Sequence, residues 1–229
     1  MQQASGELAE LYLENGMTGG RMRCPPGLVP APGQYLLAHD PASDAPLPAP
    51  VFRAGLAPGG FLLAPPIPDG WRAGANLSLR GPLGHGFDLP GDARRVALAA
   101  LGGNPYRLLA LLDLALAQGA DVTLLGETVP ANLPADVEAR PLSALPEAAQ
   151  WADYLALDLA RESLPGVRQR LGISGQAGAW KDAQALVVTP MPCGGMASCG
   201  VCAVRVRRGW KMACKDGPVF RLGDLGDVG

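Results

Sequence analysis

Four of the five cysteines lie close together near the C-terminus, and thiolates are side chains that bind soft metal ions. Five residues separate Cys193 from Cys199, two separate Cys199 from Cys202, and eleven separate Cys202 from Cys214. Glycines stand at positions 194, 195 and 200, where a closely wrapped backbone can turn its amides toward sulfur. The pattern therefore predicts a four-thiolate site.

The spacing is typical of a plant-type 2Fe-2S site, except that the first two cysteines have one more residue between them than usual. A structural zinc site is the main alternative, since zinc also binds four thiolates. Such sites usually combine two pairs of closely spaced cysteines, and only Cys199 and Cys202 form one here. Disulfides or packed thiols are the remaining interpretation. Cys24 lies far from the others and is interpreted as a buried apolar residue.

The composition bounds the class of protein. A chain of 229 residues that is 48% apolar can bury a large core. Its net charge of -2 gives no reason to expect a nucleic-acid partner, and no apolar run reaches the roughly 20 residues of a membrane span. The first residues lack the basic and apolar regions of a signal peptide, which predicts a cytoplasmic protein. In a reducing compartment, clustered thiols favour metal over disulfides.

Residues 1–90 are predicted to form a small antiparallel β-barrel. Short apolar runs are broken by glycine and proline, and no window sustains helical periodicity. The expected strands are residues 8–14, 20–24, 34–38, 50–56, 61–64 and 76–80.

Residues 91–190 are predicted to form a doubly wound α/β domain with a five-stranded parallel sheet. The run 96–101 is apolar throughout, as in a strand buried on both faces, and Gly102-Gly103 then turns the chain. Asn104 can cap a helix over 105–118. The turn is a weak dinucleotide fingerprint, because Pro105 has no amide for a phosphate. Further strands are expected at 121–125, 137–140, 154–159 and 185–189, and helices at 144–152 and 164–171.

Residues 191–229 are predicted to be the metal-binding module, in which a hairpin brings the fourth sulfur back to the other three. Residues 203–207 and 210–213 are its strands, and Arg208-Gly209 is its turn. The hairpin is locally basic. It is interpreted either as a solvated face or as a docking surface for a redox partner. The basic residues are Arg205, Arg207, Arg208, Lys211 and Lys215.

Three segments carry a resemblance to a known family. Residues 81–87, Gly-Pro-Leu-Gly-His-Gly-Phe, are similar to its Gly-Pro-Leu-Gly-Asn-Gly-Phe hinge, and residues 32–35, Pro-Gly-Gln-Tyr, to its Pro-Gly-Gln-Phe. Residues 214–220 match its closing Cys-x-Asp-Gly-Pro-Val-Phe. The chain thus resembles the electron-transfer subunit of the heteromeric, NAD-linked dihydroorotate dehydrogenase, a branch of the ferredoxin reductase superfamily.

The resemblance implies a role in pyrimidine biosynthesis, as an electron-transfer component that is not catalytic alone. Cys193, Cys199, Cys202 and Cys214 would bind a 2Fe-2S cluster. FAD would lie on the barrel near Arg53, Gly81 and Pro82. Electrons would pass between the flavin of a catalytic dihydroorotate dehydrogenase-type subunit and NAD. The chain departs from the family at its flavin motif, where Arg53 is kept but the hydroxyl residue is missing, and at the shorter turn after residue 101.

Two other functions stay open. One is a self-contained flavin oxidoreductase that uses NAD, and the other is a zinc-stabilised interaction module without redox activity. The sequence shows no paired carboxylates and no Ser-His-Asp set, so a hydrolase has little support.

Overall fold

The first part of the chain is a closed antiparallel barrel, as predicted. The computed structural model describes residues 2–102, 104–172 and 182–226. Around the barrel the strands follow the order β1-β2-β5-β4-β3-β6. All six predicted strands are confirmed: β1 Gln2–Glu14, β2 Met17–Arg23, β3 Tyr35–His39, β4 Ala49–Ala57, β5 Gly60–Leu63 and β6 Ala75–Leu83.

The barrel interior is filled by side chains that alternate with outward-facing residues, as the two-residue period of a strand requires. Leu77 and Leu79 of β6, for example, are fully buried, and Ser78 between them is exposed. They pack with Leu8 and Phe61 from other strands of the barrel. The barrel therefore has an apolar core of its own.

The second part is the predicted sheet of five parallel strands with helices on both sides. Its strand order is β11-β10-β7-β8-β9, and a sixth strand, β14, pairs antiparallel with β11 at one edge. The order reverses between β7 and β10, where this class of fold opens its ligand crevice. The elements are β7 Arg95–Ala100, α1 Tyr106–Ala117, β8 Asp121–Leu125, β9 Val137–Arg140, α2 Leu145–Trp151, β10 Tyr154–Ala160, α3 Val167–Arg170, β11 Ala183–Val188 and β14 Val219–Arg221.

The central strand β7 is buried on both faces, which explains its continuous apolar sequence. Val96, Leu98 and Ala100 pack in one cluster with the buried face of α1, whereas Ala97 and Ala99 pack in another with that of α2. The second cluster extends to the barrel and the cysteine segment, so one continuous core joins the three parts.

Two features differ from the sequence predictions. The helix expected over 164–171 is limited to α3, because Gly166 has a left-handed φ of 93° and right-handed helix can begin only after it. Strand β14 was not predicted. The turn at Gly103 lies outside the described residues. Among the residues that are described, no helix is both long and apolar enough to cross a bilayer.

The third part is the predicted hairpin followed by a single helical turn. Strands β12 Ala203–Val206 and β13 Gly209–Met212 pair antiparallel, and α4 Ala213–Asp216 carries Cys214. Because β14 follows immediately and pairs with β11, the hairpin is fixed to the sheet edge.

Candidate metal centre

The first three cysteines lie on a loop whose backbone depends on glycine. Gly194, Gly195 and Gly200 have φ values of 61°, 74° and 72°, in the left-handed region that other residues rarely adopt. Ala197 in the same loop also has a positive φ, of 57°. The loop is therefore tightly curled, as predicted from its glycines.

The curled loop points its backbone amides at sulfur atoms. The amides of Met196, Ser198 and Cys199 donate hydrogen bonds to the sulfur of Cys193. The amide of Ala197 donates to the sulfur of Cys214, which arrives from the far side of the hairpin. The four consecutive amides of residues 196–199 thus donate to the sulfurs of Cys193 and Cys214. Such donors stabilise the negative charge of a thiolate-bound group.

The four thiols are arranged as two pairs. Cys193 and Cys199 are joined by a side-chain hydrogen bond, and so are Cys202 and Cys214. The first pair is accessible, with Cys199 exposed, whereas the second pair is buried. Within the described part of the chain, no three of the side chains that commonly bind metals converge on one point. The thiols therefore form two adjacent dithiol pairs.

The environments of Cys193 and Cys214 shift the pKa values of their thiols in opposite directions. The pKa of Cys193 falls to about 6, because the Ser198 amide, the Cys199 side chain and further loop amides stabilise its thiolate. The pKa of Cys214 rises to about 12, because of burial first and of the neighbouring Cys202 second. In the metal-free chain at neutral pH, Cys193 is a thiolate and Cys214 a thiol.

The three segments that carry the family resemblance meet beside Cys214. The amide of His85, in the 81–87 hinge, donates to the carbonyl of Gly217 at 2.6 Å, and the amide of Val219 returns a bond to the His85 carbonyl at 3.4 Å. The phenol of Tyr35, in the 32–35 segment, donates to the carbonyl oxygen of Cys214 at 2.8 Å. These residues hold the cysteine segment on the barrel.

The predicted flavin residues lie on β4 and β6, the two strands that flank β3. They differ in whether they have a group that could bind a flavin. Arg53, on β4, is half-buried, and its Nε has no hydrogen-bond partner, as suits an anion-binding residue. Gly81 and Pro82 lie on β6; a Cβ on Gly81 would come within 2.5 Å of Leu36, so this glycine serves packing. Phe52, beside Arg53, is buried in the core that joins barrel and sheet. Of the three predicted flavin residues, Arg53 is therefore the one with an unpartnered buried N–H to offer a flavin phosphate.

A buried ion pair that the sequence analysis missed lies where the sheet reverses its strand order. Arg107, in the first turn of α1, donates to both carboxylate oxygens of Asp158 on β10, at 2.6 and 2.7 Å. Asp158 is fully buried, and the Phe52 ring of the barrel lies 6.0 Å from the guanidinium. The sequence did contain a sign of this ion pair. Asp158 is a charged residue inside the otherwise apolar run 154–159, and buried carboxylates are usually paired.

Asn104 caps the helix α1, as predicted, and it also connects the sheet domain to the barrel. Its Oδ1 accepts a hydrogen bond from the Tyr106 amide at 3.0 Å, and its Nδ2 donates to the carbonyl of Pro65 in the barrel. Tyr106 in turn accepts a bond from Asn15 of the β1–β2 turn at 2.8 Å. The start of α1 is thus covered by barrel residues.

The fold is that of the ferredoxin reductases. The chain superposes on the NADH-dependent reduced ferredoxin-NADP oxidoreductase with a TM-score of 0.69 at 16% identity, covering 97% of this chain and 90% of the other. For the ferredoxin reductase of carbazole 1,9a-dioxygenase the TM-score is 0.59 at 18% identity, covering 78% and 68%. For phthalate dioxygenase reductase it is 0.56 at 14% identity, covering 82% and 70%.

A narrower relationship holds for the cysteine segment. Residues 189–226 match the family described as the iron-sulfur cluster binding domain of dihydroorotate dehydrogenase B. The match spans all four clustered cysteines and confirms both the predicted resemblance and the iron-sulfur character of this segment. No curated protein matches the chain.

Proposed function

We propose that this chain is an electron-transfer subunit that carries single electrons through a 2Fe-2S cluster bound by Cys193, Cys199, Cys202 and Cys214. The observation that carries the proposal is the set of loop amides at 196–199, which donate to sulfurs of both cysteine pairs. When bound, such a cluster accepts and releases one electron at a time. The chain supplies position, hydrogen bonds and burial, which tune the potential.

The pairing of the thiols favours two irons over one zinc. A two-iron cluster with four cysteine ligands takes two thiolates on each iron, and Cys193–Cys199 and Cys202–Cys214 are such pairs. A single zinc would need all four sulfurs about 2.3 Å from one point. The zinc-stabilised module is therefore the weaker alternative.

FAD is the second cofactor that we propose, with Arg53 holding its phosphates. The support is the unpartnered Nε of Arg53 and the fold shared with the ferredoxin reductases. A flavin exchanges two electrons with an organic substrate and single electrons with a cluster. The stand-alone flavin oxidoreductase is the second candidate function, and flavin content with NADH-dependent reduction would favour it.

For the partner, we propose a catalytic dihydroorotate dehydrogenase-type flavoprotein subunit, in cytoplasmic pyrimidine biosynthesis. The support is the family match over 189–226. Three large apolar side chains, Met196, Val201 and Trp210, are exposed on the module that carries the cysteines. A surface of this kind is typical of a protein interface, and it would bring a partner's flavin close to Cys199.

We further propose that the chain is divided as predicted, into a barrel at 1–90, a sheet at 91–190 and the cluster module from 191. NAD is proposed as the distal electron acceptor of the assembly. Because Arg107 and Asp158 form a buried ion pair at the point between β7 and β10 where the strand order reverses, we place its reaction away from that point.

Anaerobic purification with metal analysis tests the function. We expect about two irons and two sulfides per chain, and a visible absorption that dithionite bleaches. Cys199→Ser should lose the cluster and leave the barrel folded, whereas Cys24→Ser should keep it, because Cys24 lies at the end of the barrel strand β2. A colourless chain with one zinc, or full iron content in Cys199→Ser, would contradict the proposal.

A further inference from the structure

Tyr35 links the barrel to the cysteine module through its hydroxyl. It begins β3, its side chain is fully buried, and its hydroxyl donates to the backbone carbonyl of Cys214 at 2.8 Å. The ring packs against Phe52 of β4, with centroids 6.0 Å apart and planes tilted by 42°. The Tyr35 ring is therefore packed in the barrel, and its hydroxyl is directed at the cysteine module.

The same phenol also lies close to the loop that carries the first cysteine pair. A Cβ on Gly195, two residues after Cys193, would lie 3.1 Å from the Tyr35 hydroxyl. A Cβ on Gly84, in the hinge, would lie 3.1 Å from the edge of its ring. Tyr35 is thus enclosed by glycine backbone on two sides. The Tyr35 side chain therefore lies against the main chain at Cys214 and near that of Cys193, one cysteine of each pair.

The hydroxyl donates its hydrogen bond to the main-chain carbonyl of Cys214, a residue that is only 2% exposed. In so buried a place the local dielectric is low, and a fixed O–H dipole acts strongly on nearby charge. A donor bonded to the main chain of a ligand residue would stabilise the reduced state of a bound cluster, which carries one more negative charge.

We propose that Tyr35 is a positioning residue for the cluster, whose hydroxyl fixes the main chain of Cys214 and raises the reduction potential. The inference rests on the proposed function, because it requires a cluster at these cysteines. It concerns a residue of the barrel, outside the segment 189–226 that matches the iron-sulfur domain.

Tyr35→Phe is the test, because it removes the hydroxyl and keeps the ring. Tyr12→Phe is the matched control: the Tyr12 hydroxyl also donates to a backbone carbonyl, that of Leu63 at 3.0 Å, within the barrel. Redox titrations of the anaerobically purified, cluster-loaded proteins, followed by electron paramagnetic resonance, give the midpoint potentials. We expect a lower midpoint in Tyr35→Phe than in the wild type, and an unchanged midpoint in Tyr12→Phe.

The outcomes separate this inference from the function on which it rests. Equal midpoints in wild type and Tyr35→Phe, with full iron content in both, overturn the role of Tyr35 and leave the proposed function intact. Iron lost from Tyr35→Phe but kept by Tyr12→Phe supports the positioning role directly. A wild-type chain without iron overturns the proposed function and the inference together.

Discussion

Arg107 and Asp158, 51 residues apart in sequence, form a bidentate ion pair at the point where the sheet reverses its strand order. Asp158 pairs with Ala100 across β10 and β7, and Arg107 reaches it from the helix that follows β7. Burial alone would lower the pKa of Arg107, but the charge and hydrogen bonds of Asp158 outweigh it and raise the pKa. The Arg107 guanidinium is therefore firmly protonated, and it lies where the strand order reverses, the place at which this class of fold receives a ligand.

We expect the purified chain to bind NADH weakly or not at all. In the first turn of α1 the Arg107 guanidinium is already paired with the Asp158 carboxylate, and the Phe52 ring lies 6.0 Å from that guanidinium. Asn104, just before the helix, is bonded to the carbonyl of Pro65 in the barrel, so little of this helix start is open to a phosphate. Titration with NADH to about 1 mM, the upper range of ordinary enzyme affinities, should leave nucleotide fluorescence and protein melting temperature unchanged. Saturable binding in the micromolar range would contradict this.

Removing one partner of the buried pair should be strongly destabilising. Asp158→Asn leaves the Arg107 guanidinium without its counter-charge, and changes of this kind cost about 3–5 kcal/mol of the free energy of unfolding. Glu147→Gln is the control, because Glu147 is an exposed partner of Arg140 and its ion pair is screened by water. Urea denaturation should show a much lower midpoint for Asp158→Asn and an unchanged one for Glu147→Gln. Equal midpoints would show that the buried pair contributes nothing to stability.

Local signals predicted most of the fold. The six barrel strands and the helix α1 follow from glycine and proline breaks and from a cap at Asn104. Strand β14 was missed because a strand of three residues is too short to show the alternation of apolar and polar residues. Its pairing with β11 also depends on residues more than thirty positions away in sequence. The cysteines of the site could be identified from spacing. The bond from Tyr35 to Cys214 spans 179 positions, and no local pattern reveals a contact of that kind.

In the metal-free chain, Cys193 should react with iodoacetamide at a lower pH than Cys24. Loop amides hold its pKa at about 6, so it is a thiolate above that pH, and protonation below it removes the nucleophile. Cys24 is the internal reference, since burial raises the pKa of its thiol. Mass spectrometry of peptides alkylated from pH 5 to 9 should give half-maximal reactivity near pH 6 for Cys193. A midpoint at the ordinary value of about 8.5 would contradict the amide-stabilised loop.

Replacement of Gly84 should loosen the cysteine module from the barrel. An alanine Cβ at this position would lie 2.4 Å from the carbonyl oxygen of Gly217 and 2.7 Å from the ring of Pro218, and both belong to the closing segment. Gly16 is a close control, because its φ of 74° matches the 73° of Gly84 and a Cβ there would meet nothing within 4 Å. Both alanines carry the strain of left-handed backbone, about 1–2 kcal/mol, and only Gly84→Ala adds a clash.

The comparison of these two variants isolates the contact between hinge and module. Gly84→Ala should lower the free energy of unfolding more than Gly16→Ala does, and should raise amide hydrogen exchange in residues 214–220. Gly16→Ala should leave exchange in that segment at the wild-type rate, because its strain is confined to the β1–β2 turn. Equal exchange in the two variants would show that the module is held by the sheet edge alone, through the pairing of β14 with β11.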